Sequence, residues 1–168
     1  MDTILGRGFQ YSLYVRDANG EWVQDGPPVF NLIPQAGIDY TAGLMFGTGA
    51  SPISSWYMGL IEANFVPDAS FTSATLPTIE CQSYAEATRP AFSHVYDGVS
   101  VVSNAGSLAT FTMNADKRVY GAFIVSSSTK GGNSGLTLSI ARFTTPRDLV
   151  AGTEFGVGGV LTYIPTSL

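Results

Sequence analysis

The chain holds one histidine, His94, and one cysteine, Cys81. His94 lies in a strand-like run between Phe92 and Tyr96, with no second His and no Cys close by in sequence to complete a metal-ligand cluster. A hydrolytic role would need a nucleophile and an orienting carboxylate brought to it by the fold, so the local pattern favours a structural or surface histidine. A lone cysteine forms no internal disulfide and offers no C-x-x-C spacing, which leaves Cys81 as a small apolar residue, buried or half-buried. Glu80 and Glu86 have the residue types of a glycosidase carboxylate pair, but the polar run around them predicts solvated side chains.

Three glycine-containing segments invite chemical readings and resist them. Gly47-Thr48-Gly49-Ala50-Ser51 has the composition of a phosphate-cradling loop without the Lys-Ser/Thr pair or the G-x-G-x-x-G spacing. Asp17-Ala18-Asn19-Gly20-Glu21 superficially resembles a calcium loop, yet Gly falls at the fourth position and Trp22 stands where the loop glycine belongs. A hairpin turn accounts for the same residues. Lys130-Gly131-Gly132-Asn133 reads as part of a flexible Gly-rich loop over residues 129–135. No catalytic residue, cofactor site or metal ligand is assigned on these patterns, and the expectation is a protein that is not an enzyme.

The elements around these residues read as strands. Phe9, Tyr11, Leu13 and Val15 alternate with Gln10, Ser12, Tyr14 and Arg16, the period of a strand with one buried face. Asp17 to Gly20 then turns the chain into a partner strand over residues 21–24. Gly26-Pro27-Pro28 removes two backbone donors and separates this N-terminal hairpin or arm, residues 1–28, from a β-sandwich domain over residues 29–168. The two parts are expected to form one compact domain.

Residues 31–47 carry one short helix, with Pro34 near its first turn and Ile38, Ala42 and Met45 as its apolar positions; Gly37 and Gly43 weaken it. Residues 53–63 are apolar on both faces and read as a central strand covered on both sides. Residues 64–88 dissolve into Pro, Ser, Thr and Ala, a long connection with one short helical turn, of the kind that often contacts a partner. Strands are then predicted over residues 90–96, 99–103, 108–113, 119–126, 136–143 and 153–164. Eight or nine short strands at this spacing predict an all-β fold, an antiparallel β-sandwich or jelly roll.

Composition bounds the partners. The 168 residues suffice for one well-buried core. Charged residues make up only 12% of the chain while 45% are hydrophobic and 19 are glycine, so the surface is unusually neutral and association with copies of itself or other subunits is favoured. A formal charge of −5 and scattered Lys and Arg exclude the basic patch that sequence-independent nucleic-acid binding requires. No apolar run approaches the roughly 20 residues needed to cross a bilayer as a helix. The opening MDTILGRGF lacks the pattern of a secretory signal, and a soluble protein used without export is expected. Trp22 and Phe30 flank the Pro-rich joint and Phe65 and Phe71 lie in the long connection, so each is a candidate interface anchor.

The ordered segments NLIPQAGID, WYMGLI, ATRPAF, SNAGSLATFTM, VYGAFIVSSSTKGG and FTTPRDLVAGTEFGV carry more than composition. Together, across residues 31–157, they resemble small structural virion proteins of tailed bacteriophages, most like a capsid cement or decoration protein. The resemblance implies a non-catalytic component made in the host cytoplasm and placed on the capsid exterior. Its implied partners are the major capsid protein and further copies of itself, as a dimer or trimer. A tail- or baseplate-associated protein and a β-sandwich module binding a glycan or host surface are the alternatives. In the capsid reading, Arg7 and Phe9 of the N-terminal segment and the 64–88 connection are expected to touch neighbouring subunits.

Overall fold

The computed structural model describes residues 9–47 and 49–162, which fold into two antiparallel sheets with two short helices. The first sheet is built on β1 (Phe9–Arg16) and β11 (Glu154–Thr162), paired from Phe9↔Leu161 to Val15↔Phe155. Along the outer edge of β1 lie β2 (Trp22–Gln24) and β3 (Val29–Phe30) in succession. Along the far edge of β11 lie β7 (Val101–Ser103) and β8 (Ala109–Thr112), with β6 (Val95–Tyr96) beside β7.

The alternation read in the first strand holds over Phe9, Tyr11 and Leu13, which enter the core, and ends there: Val15, expected on the same face, is exposed, and Ser12 on the other face is buried. The segment is nevertheless no detached arm. Seven residue pairs with β11 and the return of β3 onto Gln10 and Tyr11 make β1 an inner strand of the sandwich. Gly26-Pro27-Pro28 therefore separates two short edge strands on the same neighbour, where missing N–H donors face no ladder.

β7 and β8 occupy one lane beside β11, interrupted where the sequence predicts a turn at Asn104-Ala105-Gly106. The buried Asn104 side chain stands in for the broken ladder. Its Oδ1 accepts from Gly159 N at 2.7 Å and its Nδ2 donates to the Val157 carbonyl at 3.2 Å, so the interruption leaves these backbone groups satisfied.

The second sheet runs β10 (Thr137–Leu149), β9 (Lys117–Val125), β4 (Tyr57–Ile61), β5 (Glu80–Cys81). Met58, Leu60, Ala122 and Ile124 face the first sheet and pack with Tyr11, Leu13, Phe111, Phe155 and Val157. Ile61, Phe123, Val125 and Ile140 form a second core on the opposite face, closed by Phe71, Leu76 and Ile79 with Phe65 beside them. The central strand expected within residues 53–63 is thus covered on both sides. Its outer cover is the 64–88 connection itself, through a 3-10 turn (Ser73–Thr75) and α2 (Leu76–Ile79). A hydrogen bond of 2.8 Å from Tyr11 Oη to Ser139 Oγ ties the sheets together across the main core.

β10 extends well beyond the strand predicted over 136–143. A register shift between Arg142 and Arg147 absorbs Pro146 in a bulge, after which pairing with β9 resumes to Leu149. Arg147 then reaches Asp25 at 2.6 Å.

The helix is present as α1 (Gln35–Phe46), entered from Pro34 in extended geometry and closed by Gly47 in the left-handed region. Its packing face is the reverse of the one expected. Gly37 and Gly43 are the buried positions, while Ile38, Ala42 and Met45 face outward. The reason is proximity: a Cβ on Gly37 would stand 2.9 Å from the Leu138 carbonyl of β10, so only glycine lets the helix approach so closely. Tyr40 completes the inward face by stacking edge-on against Trp56, with ring centroids 5.8 Å apart.

Candidate interaction surface

The outer face of the second sheet carries the densest polar arrangement in the described residues. Phe123 lies across Gly59, where any Cβ would overlap its ring. The Arg89 guanidinium lies against the same ring, 5.3 Å from its centroid. Arg89 forms two parallel bonds to Glu80, Nε to Oε1 at 2.8 Å and Nη2 to Oε2 at 2.7 Å, and both side chains are wholly buried. A bidentate pair is the geometry that best offsets the desolvation of both charges.

The remaining capacity of this pair goes to one loop. Arg89 donates to the carbonyls of Ser127 and Gly132, each at 2.9 Å, and Glu80 accepts the Gly131 N–H at 2.9 Å. Lys130 turns back across the Tyr84 ring and donates to the carbonyls of Tyr84 and Glu86 at 2.9 and 2.6 Å. Glu86 is half-buried and its carboxylate accepts the Thr112 N–H. The expectation of two solvated carboxylates and a flexible Gly-rich loop is therefore corrected. Glu80 has a full-strength partner nine residues away in Arg89, and together they fasten the loop to the sheet.

Sequence reasoning treated these residues separately. Gly59 belongs to WYMGLI, Arg89 to ATRPAF, and Phe123, Lys130, Gly131 and Gly132 to VYGAFIVSSSTKGG. The fold brings the three segments to one place. The available signal was an Arg among nearly uncharged neighbours, with Glu80 and Glu86 the carboxylates that precede it.

The candidate interface residues divide clearly. Phe9 and Phe71 are each only 4% exposed and belong to the two cores, so neither is a surface anchor; apolar burial within the chain outcompetes contact with a partner. Phe65 is half-buried against Phe71, with centroids 5.6 Å apart. Trp22 is half-buried on β2, held between Gly156 of β11 and the Arg16 guanidinium 3.9 Å from its ring. Phe30 remains 61% exposed. Arg7 lies outside the described residues.

The structure exposes other apolar groups that the sequence reading did not take as interface anchors. On α1, Ile38, Leu44, Met45 and Phe46 face outward, the last two 72% and 76% exposed. At the β6–β7 hairpin Val95, Tyr96 and Val99 do the same. Asp97 fixes the tip of that hairpin by accepting the N–H groups of Val99, Ser100 and Val101 at 2.8–2.9 Å. These bonds, that to Val101 foremost, hold its carboxyl below the usual carboxylate range.

The described residues also form a groove and a cleft. The groove, of about 460 Å³, lies between the end of β1 and the β10–β11 turn, lined by Val15, Arg16, Leu149, Val150 and Glu154. Its Arg16 and Glu154 are already paired with each other at 2.9 Å. A smaller cleft of about 260 Å³ is lined by Trp56, Tyr57, Phe92 and His94. His94 is exposed at its rim, stacked on Phe92, with Nδ1 3.0 Å from the Phe92 carbonyl. Cys81 is buried, and burial pushes its thiol up to about 11. Among the described residues no group of three or more His, Cys, Asp or Glu side chains could hold a metal ion, and no helix is long and apolar enough to cross a membrane. Comparison with known proteins finds no matching family model, no matching curated protein and no matching solved structure.

Proposed function

We propose that this chain is a structural virion protein that binds and stabilises the capsid shell of a tailed bacteriophage as a cement or decoration protein. The observation that carries the reading is a well-packed two-sheet body with outward-facing apolar side chains on α1 and on the β6–β7 hairpin, set in a surface where few residues are charged. Side chains such as Phe46, Met45 and Tyr96 are the types that supply contact energy in protein interfaces. A sandwich whose sheets are tied across the core keeps such groups at fixed separations, so several modest contacts made at once add up to firm retention. The ordered motifs that resemble the virion proteins support the same reading, and three of them meet around Glu80 in one buried cluster.

In this role the partners are the major capsid protein and further copies of the chain arranged about a local symmetry axis. The site is the capsid exterior. The test is to quantify the chain in purified virions by mass spectrometry and to locate it by imaging. A cement protein gives copy numbers on the order of hundreds, following shell symmetry. Small multiples of three or six would instead assign it to the tail or baseplate, and absence from virions would refute both assignments.

A further inference from the structure

Three glycines of this chain follow an Asn or Asp: Gly20 after Asn19, Gly26 after Asp25 and Gly98 after Asp97. Such a pair can react with itself. The glycine has no Cβ to hinder its amide nitrogen, and attack of that nitrogen on the preceding side-chain carbonyl carbon closes a five-membered ring. All three glycines stand at positive φ, at 82°, 81° and 82°, so the backbone at glycine does not tell the pairs apart. How each side chain is held does.

Asp25 is paired with Arg147 at 2.6 Å, and a Cβ on Gly26 would run into the Arg147 guanidinium. Asp97 accepts the N–H groups of Val99, Ser100 and Val101 at 2.8–2.9 Å, which fixes its carboxylate over the hairpin tip and keeps it ionised. An ionised carboxylate is a poor electrophile. Asn19 differs on both counts: its neutral amide carries ammonia as a leaving group, and its side chain makes one long contact, Nδ2 to Asp17 Oδ2 at 3.5 Å. In that turn the holding role belongs to Asp17, whose Oδ1 accepts from Asn19 N at 2.8 Å and Glu21 N at 2.9 Å. Residues 17–21 are all exposed, and the space around Gly20 is open. One restraint bears on the nucleophile, the bond from Gly20 N to the Asp17 carbonyl at 3.0 Å. It is a single exposed bond beside a three-residue edge strand, and having to open it slows the attack by roughly tenfold at most.

We propose that Asn19-Gly20 is a self-modifying site, at which the chain converts its own asparagine to aspartate and isoaspartate. The Gly20 nitrogen, its proton lost to solvent, bonds to Asn19 Cγ; the Cγ–Nδ2 bond breaks, ammonia leaves and a succinimide ring remains. Water then adds to one or other ring carbonyl, and the ring C–N bond at that carbon breaks. One opening gives an aspartyl residue, the other an isoaspartyl residue whose main chain runs through Cγ and is one carbon longer. Nothing is oxidised or reduced, and water is the sole co-reactant. Each conversion adds a negative charge between Asp17 and Glu21. The extra main-chain carbon also shifts the Gly20 carbonyl, which accepts from Arg16 Nη1 at 2.7 Å. Because Arg16 lies on the Trp22 ring and pairs with Glu154, the change reaches the Trp22 surface. The other asparagines precede Leu, Phe, Ala or Ser, whose side chains hinder the attack, and Asn31, Asn64 and Asn104 are further held by side-chain bonds.

The test incubates the purified, folded full chain in mildly alkaline buffer and follows it by peptide mapping with mass spectrometry that separates aspartyl from isoaspartyl products. Conversion is expected at residue 19 before any other asparagine, with isoaspartate among the products, while Asp25 and Asp97 stay aspartyl. The folded chain should react within about tenfold of the rate of the urea-unfolded chain, the limit set by opening one exposed backbone bond. Asn19→Gln, which must close a six-membered ring, should lose the acidic shift that the aged parent shows in isoelectric focusing. In the isoaspartyl form, separated by ion exchange, protection of the Glu21 amide should fall. Earlier conversion of another asparagine, a slower folded chain than stated, isoaspartate at Asp25 or Asp97 as fast as at residue 19, or an acidic shift kept by Asn19→Gln would each overturn the assignment. Unchanged Glu21 protection would refute the remodelling of the turn. The reaction needs only the chain and water, so none of these results bears on the virion assignment.

Discussion

Replacing Arg89 by Met should destabilise the protein far more than its single ion pair suggests. Breaking a buried pair by removing one partner costs about 3–5 kcal/mol, because the remaining charge stays desolvated. Glu80, wholly buried, would keep only the Gly131 N–H. The carbonyls of Ser127 and Gly132 would lose their donors as well, at about 1 kcal/mol each. These terms overlap, and we expect a net loss of about 4 kcal/mol. For a chain of this size that corresponds to a fall in Tm of roughly 8–16 °C. Glu80→Gln with Arg89→Met removes both charges while a side-chain oxygen can still accept from Gly131. The double variant should then lose only about 2 kcal/mol, from the two orphaned carbonyls. Urea unfolding followed by tryptophan fluorescence, with Trp56 packed on Tyr40 as the core reporter, reads these values as shifts in midpoint at constant slope. A cost below about 1 kcal/mol for Arg89→Met, or a double variant no more stable than the single, would refute the reasoning.

Two further outcomes follow from particular contacts. Gly59→Ala places a methyl group into the Phe123 ring, which is closed in on every side, so a loss of about 1–3 kcal/mol is expected, whereas Gly106→Ala meets open space and should be close to neutral; equal midpoints for the two variants would contradict the packing. The lowered Asp97 carboxyl makes the β6–β7 hairpin tip pH-dependent. A depressed carboxylate stabilises the fold above its unfolded value of about 3.9 and loses that contribution as pH falls through its folded value. The protection of the Val99, Ser100 and Val101 amides, taken relative to their intrinsic exchange rates, should fall over that acidic interval in the parent and be low already at neutral pH in Asp97→Ala.

Much of the fold was legible locally. Alternation in Phe9 to Leu13 placed β1, Asp17 to Gly20 formed the turn it promised with Asp17 Oδ1 accepting from Asn19 and Glu21, and apolar residues on both faces of β4 announced its two-sided cover. Each of these depends on a side-chain period or a turn preference contained in a few consecutive residues. What the local pattern did not contain was of another kind. Asn104 opens the turn the sequence promises, its carbonyl accepting from Ser107 N at 2.8 Å, but that its side chain also brackets a broken strand lane depends on β11. Residues 64–88 contain the short helical turn expected of them, but that their apolar members close the chain's own second core was not visible locally. For α1 the apolar positions were visible, but which side packs depended on how near β10 comes, a distance no helical period contains.

The sequence by itself determined an all-β chain that is sparsely charged, because strand period, turn chemistry and charge content are properties of neighbouring residues and of sums. Only the tertiary structure decided what became of the chemically suggestive residues. Glu80 became the buried partner of Arg89 because a helical turn and a short strand carry it beneath the β9–β10 loop. Whether a carboxylate meets water or a guanidinium is set by long-range packing, and the same packing turned Lys130-Gly131-Gly132 from a flexible tract into a fastened surface.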